Sequence, residues 1–405
     1  MKKIAIVATL DTKGEEAAFL RDCIQNRGHD TLIIDSGMLF EPGFEADIKR
    51  EDVLSNIGIY DIDALRKKGK RVITEAMTKA LVHMVTRLYA QDSISGIISL
   101  GGAQGTAIST AAMRMLPIGF PKVMISTIAC GLTPFGPYVG TRDIAMIHSV
   151  ADICGVNSIT RPVFTAAAGA VSGMVDALKD QKAESDRFVV ALTMAGITTA
   201  CVMAVKKKLD TLGLETIVFH CNGVGAVVID EMAKQGKLNG VIDITPHDFT
   251  DMIFDGEQKS DENRFANVYA SGIPVLTVPG AMDIILQGPM ETVRKDLKDH
   301  VKFQHTLFHT HIRTTREEMY TVGERLAGVL NPCGDKAAVV IPLKGYSQQN
   351  AVGMPLYDEQ ANKGFVQAMR DALSPEVTLI EKDMHINDTA FAAEIVKAFT
   401  SLAGL

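Results

Sequence analysis

Tryptophan is absent from this 405-residue chain, and phenylalanine (16) and tyrosine (7) are few. A core built from it must rely on aliphatic side chains and on methionine, a flexible filler present 19 times. The six cysteines are scattered, with no Cys-x-x-Cys pair. That spacing argues against a disulfide frame or a structural zinc site, and for reduced thiols in a cytoplasmic protein. An excess of positive charge is also lacking. The formal net charge is −7, which argues against a general footprint for nucleic acid or an anionic membrane. No apolar run approaches the roughly 18 residues of a membrane span. The opening apolar stretch stops at Leu10 and carries no secretory pattern, so neither export nor membrane insertion is expected.

What the chain does have is alternation. Apolar runs of strand length alternate with amphipathic stretches of helix length, the mark of parallel α/β construction. In the first half, strands are expected at Ile4–Leu10, Thr31–Asp35, Gly96–Leu100 and Lys122–Ser126. Helices are expected at Glu15–Arg27, Arg66–Ala90, Thr106–Met115, Ile144–Val150 and Ala166–Lys179. The charged, aperiodic segment Lys179–Arg187 fits an exposed connection. After it the pattern restarts: strand Phe188–Thr193, then helix Thr199–Leu212. Further strands follow at Thr216–His220, Val241–Thr245, Val275–Val278, Ala337–Ile341 and Val377–Ile380, with a last helix at Ala390–Leu402. The length exceeds what one core usually covers. Two α/β domains are therefore expected, 1–182 and 183–405, each a mostly parallel sheet flanked by helices, with a ligand cleft between them.

Three turns of the first half carry chemistry. In Leu10-Asp11-Thr12-Lys13-Gly14 an apolar strand delivers polar groups to a helix start, where phosphates and carboxylates bind in α/β proteins. Ser99-Leu100-Gly101-Gly102-Ala103-Gln104-Gly105-Thr106 ends a second strand in glycines that let backbone amides approach an anion. Its spacing differs from the dinucleotide fingerprint, and the Lys13 turn is no Walker A sequence. The third runs from Ser126 through Thr127 and Gly131 to Pro134, followed by Thr141, Arg142 and Asp143. Arg142 and Asp143 could clamp a phosphate and a metal or ribose, or form a solvated ion pair worth little. Ligands of an open parallel sheet collect beyond the carboxyl ends of the strands, so these turns are expected to be neighbours.

The second half is rich in histidine: seven of the ten lie after residue 219. His220, His247, Asp248, Asp283, His309 and His311 sit at or near expected strand ends and loops, where they could act as general acids and bases or bind a metal. Each could equally bond to local backbone. Cys221 beside His220 reads more readily as a small buried residue than as a nucleophile.

Ala8–Glu16, Gly101–Thr106, His220-Asn222-Gly223-Gly225 and Thr245-His247-Asp248 together resemble the Tm-one-like ATP-binding family. The resemblance spans essentially the whole chain, with the motifs in order. It implies two Rossmann-like domains, with ATP and magnesium held mainly by the N-terminal one. Carried over residue by residue, the nucleotide contacts fall on Asp11, Thr12, Lys13, Gly101, Gly102, Gln104, Gly105 and Thr106, and further on Thr127, Gly131, Arg142 and Asp143.

Three functions are compatible with these readings. The first is an enzyme using Mg-ATP on a small, carboxylated substrate, in the manner of a transferase or ligase. The second is an ATP-regulated binding or scaffold protein without turnover. The third is a metal-dependent hydrolase using the C-terminal histidines. A homodimer is expected from the large apolar content.

Overall fold

Lys3–Ala8 forms β1, a strand buried on both sides. Alternation within it serves two cores at once. Ile4 and Ile6 pack with Leu20, Ile24, Phe164 and Val171 on one face of the sheet. Ala5 and Val7 pack with Met77, Leu81, Met84 and Ile108 on the other. Around β1 stand β2 (Thr31–Asp35), β3 (Ile94–Gly101), β4 (Lys122–Ser126) and β5 (Ala145–His148), in the order β2-β1-β3-β4-β5, every pairing parallel. Helices Leu10–Gln25 and Thr160–Leu178 cover the first face, and Lys70–Ala90 and Ala103–Met113 the second. The computed structural model describes residues 2–131, 134, 136–178 and 187–405. The chain divides into two compact units, Met1–Glu184 and Ser185–Leu405.

The second unit repeats the same plan. β6 (Val189–Met194), β7 (Glu215–His220), β8 (Gly240–Asp243) and β9 (Val275–Thr277) belong to one sheet with β13 (Ala337–Pro342) and β14 (Thr378–Lys382). Its order is β14-β13-β9-β8-β6-β7, again all parallel. Between β9 and β13 the chain inserts β10 (Ile284–Gln287), β11 (Lys302–Gln304) and β12 (Thr310–Arg313), a small antiparallel sheet ordered β10-β12-β11. Both units are thus α/β domains built on parallel sheets flanked by helices. Among the described residues, no helix is long and apolar enough to cross a membrane.

Several expected elements are corrected. The helix expected at Ile144–Val150 is the edge strand β5, pairing Ser126 with His148. A short apolar run has no period to declare itself, and pairing decides it. The helix expected from Glu15 starts at Leu10, and the one expected from Thr106 starts at Ala103. Asp11, Thr12 and Lys13 therefore form the first turn of a helix, with Lys13 at non-helical angles (φ −131, ψ 27). The long helix expected at Arg66–Ala90 is divided into Ile62–Lys67 and Lys70–Ala90. The connection expected at 179–187 lies, up to residue 186, outside the described residues, as do Leu132 and Thr133 of the third turn.

Candidate functional site

Register brings three turns of the first unit to one sheet edge. Ala8 pairs with Asp35, Val7 with Ser99, Gly101 with Ser126, and Ser126 with His148. The residues that follow β1, β2, β3 and β4 consequently emerge side by side, where the chain order reverses between β1 and β3. Such a switch point is the usual ligand crevice of an open α/β sheet.

The Gly101 turn is tight. A Cβ on Gly101 would lie 3.0 Å from Gly105 Cα, so any larger residue would push the strand and helix apart by a few tenths of an ångström. Gly102 is the N-cap of helix Ala103–Met113 and offers no side chain to cap it. Thr106 N–H already bonds to Gly102 O at 2.9 Å. The amides of Ala103, Gln104 and Gly105 are the leading donors of the helix, at the end where its dipole favours negative charge. Thr127 Oγ1 faces Gly102, 3.8 Å from where a Cβ would stand. Thr106 itself is fully buried, sharing a 2.6 Å hydrogen bond with Ser126 Oγ, and the Gln104 side chain donates to Thr74 Oγ1 at 2.6 Å. Both side chains thus serve the turn's own packing.

Around Lys13 the roles separate. Its ammonium makes no hydrogen bond or ion pair among the described residues. Thr12 Oγ1 lies 3.1 Å from Thr9 Oγ1. Asp11 is committed elsewhere: its Oδ2 accepts the N–H groups of Met38, Leu39 and Phe40 at 3.0, 2.7 and 3.3 Å. Beneath it, buried Asp35 accepts from Leu10 and Gly37 N–H through Oδ1. Burial pushes the Asp35 carboxyl above its ordinary value, against the pull of those two amides and of Arg50.

Arg142 and Asp143 stand elsewhere. They immediately precede β5 and so lie at the opposite, N-terminal edge of the parallel sheet. There Asp143 pairs at 2.8 Å with Lys122, the first residue of β4, and accepts Gly119 N–H at 2.8 Å. The structure does not bring this pair to the strand ends that carry Lys13 and Gly102. Gly131, in the connection that leaves β4, is exposed.

In the second unit, the ends of β6 and β8 carry a buried polar network. Arg264 donates to both oxygens of Asp243 at 2.8 and 3.1 Å, and through Nε to Asp248 Oδ1 at 3.0 Å. Thr193 Oγ1 donates to Asp243 at 2.7 Å and accepts Thr245 N–H, while Thr198 and Thr245 share a 2.7 Å hydroxyl contact. Burial opposes the Arg264 charge, but the two carboxylates hold it firmly ionised. Asp248 is pushed upward by burial, and its Oδ2 has no hydrogen-bond partner. Nothing in the local sequence announces Arg264, whereas Asp35 and Asp243, acidic residues closing apolar strands, are visible in retrospect.

His247 Nδ1 lies 3.1 Å from Ala281 O, and its Nε2 lies 3.4 Å from Asp251. His311 on β12 stacks on the ring of His305 with centroids 4.4 Å apart. Burial drives the His311 pKa down to about 3, helped by the charges of His305, His247 and His309. His309 Nδ1 lies 3.2 Å from Thr306 Oγ1. Asp283 accepts Ser347 Oγ at 2.8 Å and His220 is exposed at the end of edge strand β7. Burial raises the Cys221 thiol well above its ordinary value. Among the described residues, no group of three or more His, Cys, Asp or Glu side chains is placed to hold a metal ion.

Two parallel α/β units, each gathering polar groups at the carboxyl ends of its strands, define a two-domain α/β protein. The chain belongs to the uncharacterised protein family UPF0261: the family's N-terminal domain matches residues 2–180 and its C-terminal domain residues 187–403. A UPF0261 protein of Clostridium tetani is 36% identical over 402 residues, covering 99% of both chains. One from Rhizobium meliloti is 33% identical over the full length of both. The tomato ToMV resistance protein Tm-1(GCR237) is 34% identical over 333 residues, 81% of this chain and 44% of that protein. The likeness to the tomato protein is therefore real but partial. A putative UDP-N-acetylglucosamine 2-epimerase from Listeria monocytogenes aligns over 99% of this chain and 97% of its own at 13% identity and a TM-score of 0.24, too distant to bear on fold or activity.

Proposed function

We propose that the first unit binds Mg-ATP by its phosphates beside Lys13 and the Gly101–Thr106 turn. On this reading the protein uses the nucleotide on a small, carboxylated substrate, as an ATP-dependent transferase or ligase. One observation carries the phosphate assignment. The leading amides of helix Ala103–Met113 are capped by no side chain, and they open at the same sheet edge as a lysine whose ammonium has no partner among the described residues. The donor set fits a polyphosphate: point charge, amide cradle and the Thr127 hydroxyl. It fits magnesium less closely, because Asp11 already uses Oδ2 to hold three amides. When bound, Mg-ATP would supply an activated phosphoryl or nucleotidyl group, and Lys13 would balance its charge.

A second reading, ATP as an ordering ligand without turnover, draws on a separate observation. His247, Asp248 and Asp283 each make an internal hydrogen bond, as a structural network requires, and only Asp248 Oδ2 and Asp283 Oδ1 of these carboxylates lack one. Calorimetric titration of Mg-ATP into the unsubstituted, Lys13→Ala and Gly102→Val proteins tests the site. Both variants should weaken binding at least tenfold; unchanged affinity in both removes these turns from it. ADP or AMP release with a metabolite panel then separates turnover from ordering, for which ATP should raise the melting temperature without product.

A further inference from the structure

The segment after β2 is held with unusual firmness for one that exposes apolar side chains. Leu39 is 49% and Phe40 64% exposed. Yet the amides of Met38, Leu39 and Phe40 all converge on Asp11 Oδ2. The carbonyl side is held as well. Arg66 Nε donates to Met38 O at 2.7 Å, and Arg50, buried to 3% exposure, donates to Phe40 O and to Glu41 at 3.0 Å. Asp35 fixes the start of the segment through Gly37 N–H at 2.7 Å.

The far side closes on the first turn of helix Leu10–Gln25. Gly43 N–H bonds to Leu10 O at 3.2 Å, and Phe44 Cβ lies 3.0 Å from where Gly14 would carry a Cβ. Residues 37–44 therefore wrap the same turn that carries Lys13. Two carboxylates and two guanidinium groups hold the backbone of a loop in which Met38 is buried in the core while Leu39 and Phe40 face water. Burial of Met38 and packing of Phe44 anchor the loop at two points but do not explain the exposed pair between them, since Leu39 and Phe40 gain little burial. An aromatic side chain carried on a fixed backbone beside a phosphate site does explain it, because less freedom is lost when its ring stacks.

We infer that Phe40, with Leu39 at its edge, is the platform on which the base of a bound nucleotide stacks, and that Asp11, Arg50 and Arg66 are positioning residues for it. This rests on the phosphate site proposed above. Stacking is sequence-tolerant because every base has a π-face, so the platform sets affinity for a nucleoside over a bare polyphosphate, with weak choice among bases.

The test uses the full chain, with Mg-ATP and magnesium tripolyphosphate as the two probes. Phe40→Ala should weaken ATP about five- to hundredfold, the range for loss of one base–aromatic stack, and leave tripolyphosphate affinity unchanged. Phe40→Trp should retain ATP affinity. Because the chain has no other tryptophan, its fluorescence should respond to ATP and stay still with tripolyphosphate. Equal ATP affinity in Phe40→Ala and the unsubstituted protein, or equal loss for both probes, overturns the platform while leaving the phosphate site standing. A change of oligomeric state in Phe40→Ala with unaltered ATP affinity assigns the ring to a protein contact and also overturns it. Failure of the unsubstituted protein to bind either probe overturns both readings together.

Discussion

Arg264 grips Asp243 with both terminal guanidinium nitrogens, at 2.8 and 3.1 Å, in a pocket where neither side chain is more than 2% exposed. Its Nε holds Asp248 at the same time. One cation thus compensates two buried carboxylates, one ending β8 and one just beyond it. Removing it leaves charge in a low-dielectric interior, which costs about 3–5 kcal/mol when one member of such a set is deleted. Arg264→Ala should lose about that much in urea unfolding. Arg264→Met combined with Asp243→Asn and Asp248→Asn should recover much of the loss, because no uncompensated charge then remains. Equal destabilisation of the single and triple variants would mean that packing, not charge, is the main contribution.

His311 gives the second unit a pH dependence of defined sign. Its folded pKa is near 3 against 6.5 for the free side chain, with burial as the leading cause. The unfolded chain therefore takes up a proton between those values while the folded chain does not. Stability contributed here is complete above pH 6.5 and falls as the pH drops toward 3, by about 1.4 kcal/mol per unit. Asp35, Asp248 and Asp251 have raised values and act in the opposite sense. The comparison with His311→Phe, an aromatic that keeps the stack on His305, isolates the histidine. Urea midpoints from pH 4 to 7 should fall less steeply in the variant; parallel profiles would deny His311 this role.

The parallel sheets were legible because their strands are buried on both faces and read as unbroken apolar runs, as in Ile4–Ala8. The Gly101 turn was legible because close approach to Gly105 favours glycine. β10, β11 and β12 were not, since three or four residues hold too little alternation to read. Arg142 and Asp143 misled for a topological reason. The sequence places them soon after the β4 turn, but a chain entering the next parallel strand must first return to the opposite edge. Arg264 was hidden because its partners lie 16 and 21 residues away, too far for any local spacing to link them.

Cysteine reactivity should follow burial. Cys221 is buried to 1% exposure and its thiol is raised well above the ordinary range, while Cys154 is exposed. The thiolate is the reacting species. Brief iodoacetamide treatment of the native protein at pH 7.5, read by peptide mass mapping, should label Cys154 and spare Cys221 until denaturant is added. Rapid native labelling of Cys221 would revive it as a nucleophile.

Asp11 offers the sharpest separation between a role in binding and a role in structure. If its work is to gather the amides of Met38, Leu39 and Phe40, Asp11→Ala releases three donors at once. Amide exchange at those three residues should then rise by an order of magnitude or more without any nucleotide present. The stability cost should be about 0.5–1.5 kcal/mol, since only the Met38 amide is part-buried and water can replace the acceptor at the exposed Leu39 and Phe40 amides. Asp11→Asn keeps an oxygen acceptor without the charge and should fall between. A carboxylate whose main task was to order magnesium would leave exchange at 38–40 unchanged in the free protein, so the ligand-free measurement decides between the two.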